Sequence, residues 1–211
     1  LLVVVAIVAI LAALLLPALG RARDRSKVAR CAGNLRQIYA GFTMYLHDYD
    51  DVVFWKGANL ETDGMDWYVY GGRETGNVNT GQGGLFNRIV PRPLNKYVGN
   101  KAEVFRCPGD TQPIPWPQAS APVTHFDWVG NSYNYNANGN PFDNTDGGLN
   151  AIRFASVRAP ARTVLFLDAS LVKYAKEWHR GWKGNVCFAD GHVAFMEASE
   201  APDGVDWTWV P

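Results

Sequence analysis

The chain has 211 residues, enough for one hydrophobic stem and one modest globular body. Its 20 basic and 20 acidic residues cancel, so composition gives no argument for nucleic acid as a partner. Three cysteines allow at most one internal disulfide and leave an odd thiol over.

Leu1 to Leu16 is an unbroken apolar run, followed by Pro17 and a basic collar of Arg21, Arg23, Arg25, Lys27, Arg30 and Arg36. As a helix these first 16 residues rise about 24 Å, slightly short of the ~20 residues of a spanning segment. Pro17-Ala-Leu-Gly extends the run, and the proline removes one helical hydrogen bond and favours a kink over Pro17–Gly20. A buried core helix is seldom apolar on every side, which leaves a membrane anchor or a helix buried among copies of itself. Behind Gly20, the residues Val28, Cys31, Leu35, Ile38, Phe42, Tyr45 and Tyr49 step by alternating threes and fours. That spacing makes one apolar stripe, suited to lying against a single globular body. The reading is one helix over about residues 1–49. Residues 1–20 form its apolar half, 21–50 its amphipathic half and 51–211 a loop-rich head.

This layout resembles the type IV pilins and type II secretion pseudopilins, carried by LLVVVAIVAILAALLLPALGRAR and the stripe behind it. In that class the mature chain starts with an N-methylated Phe and has a Glu at its fifth position, which would fall immediately before Leu1. The resemblance implies a filament core built from Leu1, Val5, Ala9, Ala13, Leu16 and Pro17, with cleavage and methylation upstream.

Three aspartates, Asp48, Asp50 and Asp51, close the helix. They lack the loop pattern of a calcium site and read as a solvated helix end. Gly71 to Gly84 is a Gly-rich stretch without the Gly-Lys-Ser/Thr of a phosphate loop and reads as a surface loop. Pro93 to Asp110 reads as a short helix or turn, a short strand and a Cys-Pro turn. Cys107 has no C-x-x-C neighbour, which argues against a zinc site. An exported chain favours a disulfide, and Cys31 lies on the stripe that faces the body, so Cys31–Cys107 is the expected pair. The alternative is three reduced, buried thiols.

Further on, Ser132, Tyr133 and Tyr135 suggest a short strand, and Asp143 and Asp146 in the following loop are weak calcium candidates. Val164 to Leu167 is a compact apolar strand ending at Asp168. Asn185 to Met196 contains two apolar runs around Asp190-Gly191, a two-residue hairpin signal that pairs Ala189 with His192, Phe188 with Val193 and Cys187 with Ala194. Trp207 to Val210 alternates like an edge strand that can pair with the sheet or with a neighbouring subunit.

The ordered set KVARCAGNLRQI, VFRCPGD, SYNYN, ARTVLFLD and HRGWKGNVCFADGHVAF is similar to a large bacterial family of pseudopilin-like proteins with a C-terminal signature of His, nine residues, then Asp-Gly. Here ten residues separate His179 from Asp190, one more than the signature. The family's domain has no assigned function, so the resemblance implies architecture and export, not chemistry.

His179, Asp168, Asp190 and His192 raise a metal or acid–base site. No H-e-x-x-h type spacing or G-x-S-x-G motif supports it, and structural roles at a turn explain the same residues. The expectation is therefore an α+β, pilin-like fold: a long N-terminal helix packed on a small antiparallel sheet with long loops. The function expected from the resemblance is structural rather than enzymatic. The chain would form a helical filament of identical subunits, starting in the inner membrane with the pilus or secretion assembly machinery as partner and ending as a cell-surface filament. It needs no cofactor, with calcium as the one candidate ligand. Two other readings stay open. One is a minor or tip pseudopilin whose eight Trp stack on sugars, as an adhesin. The other is a membrane-anchored ectodomain with metal-dependent activity.

Overall fold

The computed structural model describes residues 2–54, 67–75, 92–113, 123–137, 148–171, 178–179, 183–197, 207–209 and 211. The helix α1 spans Leu2–Asp48 without a break, with Pro17 inside it. An interior proline removes one i→i−4 hydrogen bond and crowds the carbonyl four residues back, at about 3 kcal/mol, and the helix nevertheless continues through Pro17. Leu1 lies outside the described residues.

The stripe decides where α1 meets the body. Cys31, Leu35, Ile38, Phe42 and Tyr45 are buried, joined by Asn34, Gly41 and Leu46. At the two ends the expected stripe is not buried: Val28 is half-buried and Tyr49 is 47% exposed. Tyr49 lies past the last helical turn, where the 3-4 rhythm no longer applies, and its ring stacks on Tyr45 at 4.4 Å. The helix end is exposed, as expected, with the Asp48 side chain 52% accessible, and two of its carboxylates still reach the body. Asp48 accepts a hydrogen bond from the Tyr97 hydroxyl at 2.7 Å, and Asp51 accepts one from the Ala155 backbone N–H at 2.8 Å.

The body is built on a four-stranded antiparallel sheet in the order β1-β2-β3-β4. The strands are β1 (Tyr133–Tyr135), β2 (Val164–Asp168), β3 (Lys183–Phe188) and β4 (Val193–Glu197). The class is thus α+β, a long helix on a small antiparallel sheet. Between sheet and helix lies a cluster of rings. Phe42 meets Phe54 at 5.5 Å and Phe166 at 5.7 Å, and Tyr70 meets Phe166 at 4.9 Å and Tyr135 at 5.7 Å, centroid to centroid. Most pairs are edge-on or tilted, the arrangement the ring quadrupole prefers. On the other face, Val164, Leu167, Leu171, Val186, Phe188 and Trp209 form a second, smaller cluster. Thr208 bridges Thr163 in parallel, so the C-terminal segment pairs with the body's own sheet.

The β3–β4 hairpin forms, but in a different register from the one expected. Cys187 pairs with Val193 and Val186 with Ala194. Phe188 N–H donates to the His192 carbonyl, and Gly191 N–H donates to the Phe188 carbonyl, so the loop holds Ala189, Asp190 and Gly191. A two-residue type I′ turn needs positive φ at both central residues. Gly191 has φ 88°, whereas Asp190 is not among the positive-φ residues. The loop is therefore the three-residue kind that closes on a left-handed glycine. The one-residue difference fixes the faces: Cys187 and Val193 pack toward α1, Val186 and Ala194 toward the second cluster.

Two further expectations change. The segment expected as a short strand before Cys107 is a 3-10 helix, Ala102–Phe105. Its two buried residues, Val104 and Phe105, are adjacent rather than alternate, so no strand face forms. The Gly-rich stretch begins inside the body: Gly71 and Gly72 are buried, and a Cβ on Gly71 would strike the Phe105 ring. The rest of that stretch lies outside the described residues.

Candidate functional site

Among the described residues, two places carry chemistry or contact potential, and the same helix contributes to both. The first is the free half of α1. Among the expected core residues, Val5, Ala9, Ala13, Leu16 and Pro17 are all exposed. The large apolar side chains along it, from Leu2 to Leu19, are 53–86% exposed. The first buried residue is Cys31. The apolar half therefore touches nothing else among the described residues, and it is long and apolar enough to cross a membrane. From Leu2 to Gly20 it rises about 28 Å, close to the ~30 Å of a hydrocarbon core.

The second place lies where α1 meets the body. The expected disulfide joins Cys31 to Cys107 across 76 residues of sequence. Cys107 is presented by the turn after the Ala102–Phe105 helix, where Asp110 N–H closes on the Cys107 carbonyl and Gly109 N–H donates to Cys107 Sγ at 3.3 Å. Beside it, His179 Nε2 stands 3.5 Å from Cys107 Sγ and 3.3 Å from Asp168 Oδ2. The side chains of His179 and Asp168 are 2% and 0% exposed. Asn185 holds the carboxylate in place. Its backbone N–H donates to Asp168 Oδ2 at 2.7 Å and its side-chain amide donates at 3.2 Å. That same amide reaches back to the Val28 carbonyl on α1 at 3.3 Å.

This arrangement limits the chemistry. A nucleophile–base–carboxylate relay uses the two ring nitrogens for two partners. Here Cys107 and Asp168 both face Nε2, and the Cys107 sulfur is already bonded to Cys31.

The four polar residues expected near one hairpin end do not converge. His179 and Asp168 meet at the start of β3. Asp190 and His192 form their own pair at its far end, with His192 Nδ1 2.6 Å from Asp190 Oδ1 and the His192 ring stacked on Phe188 at 4.3 Å. The strand from Asn185 to Phe188, a rise of roughly 10 Å, and then the turn separate Asn185 from Asp190. The pair at the turn is 46% and 36% exposed and makes a turn closure. Asp143 and Asp146 lie outside the described residues.

Asp110 and His125 are among the buried polar groups of the described residues that the sequence does not mark. Asp110 Oδ1 accepts from the His125 N–H, and its Oδ2 accepts from the Phe126 N–H and the Ser132 hydroxyl, at 2.7–3.1 Å. It thereby ties the short helix α2 (His125–Val129) to β1. His125 Nδ1 in turn meets the Asn131 carbonyl at 2.8 Å, and burial of the ring disfavours its charged form and lowers its pKa. The third cysteine, Cys187, is free and buried, and burial pushes its thiol up to about 12.

The chain has been compared with known proteins three ways: it matches no family model, no curated protein is significantly similar to it, and no solved structure is either.

Proposed function

We propose that the protein is a structural subunit of a type IV pilus-like or pseudopilus filament, assembled through the apolar half of α1. The observation that carries this reading is that about twenty residues of helix, apolar on every side, stand clear of the body. A helix of that kind has two stable surroundings, lipid and other helices like itself. The same surface serves both in turn. In the membrane, stems associate by packing, since lipid tails are as apolar as leucine. Once outside it, each large side chain kept from water contributes roughly 1.5–3 kcal/mol. Contacts between identical copies that do not close on themselves then give an open helical array.

On this reading the basic collar sits at the base of the stem, facing lipid headgroups before assembly or acidic residues of other subunits after it. The protein resides first in the inner membrane, engages the assembly machinery there and ends in a cell-surface fibre. Its role is structural rather than enzymatic, a reading supported by the burial of the His179–Asp168 pair beside an already bonded sulfur. In the fibre, Pro17–Gly20 is the stretch where α1 loosens, because the carbonyl of Ala13 already lacks the N–H that Pro17 cannot supply.

The test is electron microscopy of purified full-length material, wild type against Ala13→Asp. A carboxylate at the middle of an apolar helix costs about 2.5–3.5 kcal/mol per chain on membrane insertion and more between packed stems. Wild type should give regular fibres with a core of packed helices. The variant should give none, while its body keeps the wild-type unfolding curve. Fibres of normal length from Ala13→Asp would refute the core-helix role.

A further inference from the structure

We propose that the reduced chain binds one thiophilic divalent cation, zinc or a metal like it, through Cys31, Cys107, His179 and Asp168, and that the disulfide is the metal-free alternative state of the same site. One ligand atom from each of these four side chains lies within 4.8 Å of the other three, and all four residues are buried. They come from four separate elements: α1, the turn after the Ala102–Phe105 helix, the end of β2, and the residues just before β3. A tetrahedral zinc ion takes sulfur at about 2.3 Å and nitrogen or oxygen at about 2.0–2.2 Å, so its ligand atoms stand about 3.3–3.8 Å apart. His179 Nε2 is already 3.5 Å from Cys107 Sγ and 3.3 Å from Asp168 Oδ2. With the S–S bond opened, the two sulfurs reach about 3.7 Å by side-chain rotation, from Cα atoms 5.3 Å apart.

A second, independent observation points to a cation. Asp168 is fully buried, and its Oδ1 has no hydrogen-bond partner among the described residues. Such an oxygen is costly to leave bare. Its sister Oδ2 is held by both donors of Asn185, the kind of outer support that orients a carboxylate ligand. Cys107 Sγ has comparable support from the Gly109 N–H at 3.3 Å. Two sulfurs, one imidazole nitrogen and one carboxylate oxygen make a tetrahedral set that suits zinc or cobalt(II). Calcium, which takes six to eight oxygens, does not fit it.

The chemistry balances with a named reductant. A phosphine takes the oxygen of one water and becomes a phosphine oxide, while the disulfide takes two electrons and two protons to become two thiols. Metal binding then releases those two thiol protons to solvent, and the neutral imidazole binds through Nε2 with its proton on Nδ1. The two states exclude each other, so the redox poise of the compartment selects between a metal-clamped and a covalently stapled joint of stem to body. The metal also keeps Cys31 and Cys107 together and away from the third thiol, Cys187. None of this depends on whether the chain forms filaments.

The experiment uses the full chain in detergent micelles, reduced with a phosphine, freed of it, and titrated with cobalt(II) and then zinc(II). The expected result is one cobalt per chain, with a thiolate-to-cobalt charge-transfer band and the intense visible bands of a tetrahedral site, bleached by one equivalent of zinc. The oxidised chain should take up none, and Cys187→Ser should behave as wild type. His179→Gln and Asp168→Asn, both close in shape to the native residues, should each weaken cobalt binding by more than the ~10-fold that even an outer-shell partner is worth. Circular dichroism on the same samples shows whether the reduced chain stays folded. Absence of the tetrahedral bands in the reduced wild type would overturn the proposal. So would bands that need Cys187, or an affinity that His179→Gln leaves unchanged, as expected of an unfolded chain binding through its thiols alone.

Discussion

Replacing Cys31 by alanine removes the one covalent tie between stem and body and leaves the packing of α1 almost intact. The disulfide spans 76 residues of sequence, and closing a loop of that length in the unfolded chain is worth about 4.5 kcal/mol in the chain-entropy treatment. Measured values run lower, because unfolded chains keep some structure and native geometry is imperfect, so the expected loss is about 3–4.5 kcal/mol. For a domain whose whole stability is about 5–15 kcal/mol, this is a large fraction. The assay is guanidinium unfolding of the full chain in micelles, followed by the emission of its tryptophans. Wild type under reduction should lose the same amount as Cys31→Ala under oxidising conditions, and reduction should do nothing further to the variant. Cys187→Ala breaks no cross-link and serves as the reference for simply emptying a buried thiol site. A loss in Cys31→Ala of less than about 1 kcal/mol, or no larger than that of Cys187→Ala, would refute the claim that the disulfide holds the joint.

Two other outcomes are accessible in solution. His125 has its pKa lowered below 6.5, first by burial, with the Asp110 carboxylate pulling the other way. The unfolded chain therefore binds a proton near pH 6.5 that the folded chain refuses, so this contribution is complete above pH 6.5 and declines as pH falls below it, by up to roughly 1.4 kcal/mol per unit. Denaturant curves at about pH 7 and pH 5 should show a slope that flattens in His125→Gln; an unchanged slope would remove His125 from the account. Cys187, with its thiol pushed up to about 12 by burial, should resist a thiol-alkylating reagent at mildly alkaline pH until the chain unfolds. Mass spectrometry that finds Cys187 rapidly labelled in the folded chain would contradict its buried placement.

The features set by local spacing were legible in the sequence. The 3-4 stripe from Cys31 to Tyr45 is the buried face of α1, and because that stripe carried Cys31, the disulfide partner on the helix could be named. The apolar run Val164 to Leu167 is β2 almost to the residue. The hairpin was legible in existence and not in register. Asp-Gly is read as a two-residue turn from type alone, whereas the actual loop depends on which of the two residues takes positive φ, and only Gly191 does. The 3-10 segment at Ala102–Phe105 is not legible, because two adjacent apolar residues fit a short strand equally well. The site around the disulfide was half-visible. Cys107, Asp168 and His179 each stand out in the sequence, but the separation of 72 positions from Cys107 to His179 carries no periodic signal that would bring them together. Nor does anything near Asn185 mark it as the residue that holds Asp168.

The disulfide also decides how the molecule answers a pull. Load applied at the Leu2 end of α1 reaches Cys31 and can cross directly to Cys107, bypassing the chain between them. Those residues, fully drawn out at about 3.4 Å each, would otherwise lengthen the molecule by about 250 Å. In the oxidised chain that slack is locked away, and Phe42, Phe54 and Tyr70 of the ring cluster lie within the locked stretch. A stem under tension thus delivers its force to the sheet strands after Cys107, leaving half of the aromatic core outside the line of strain.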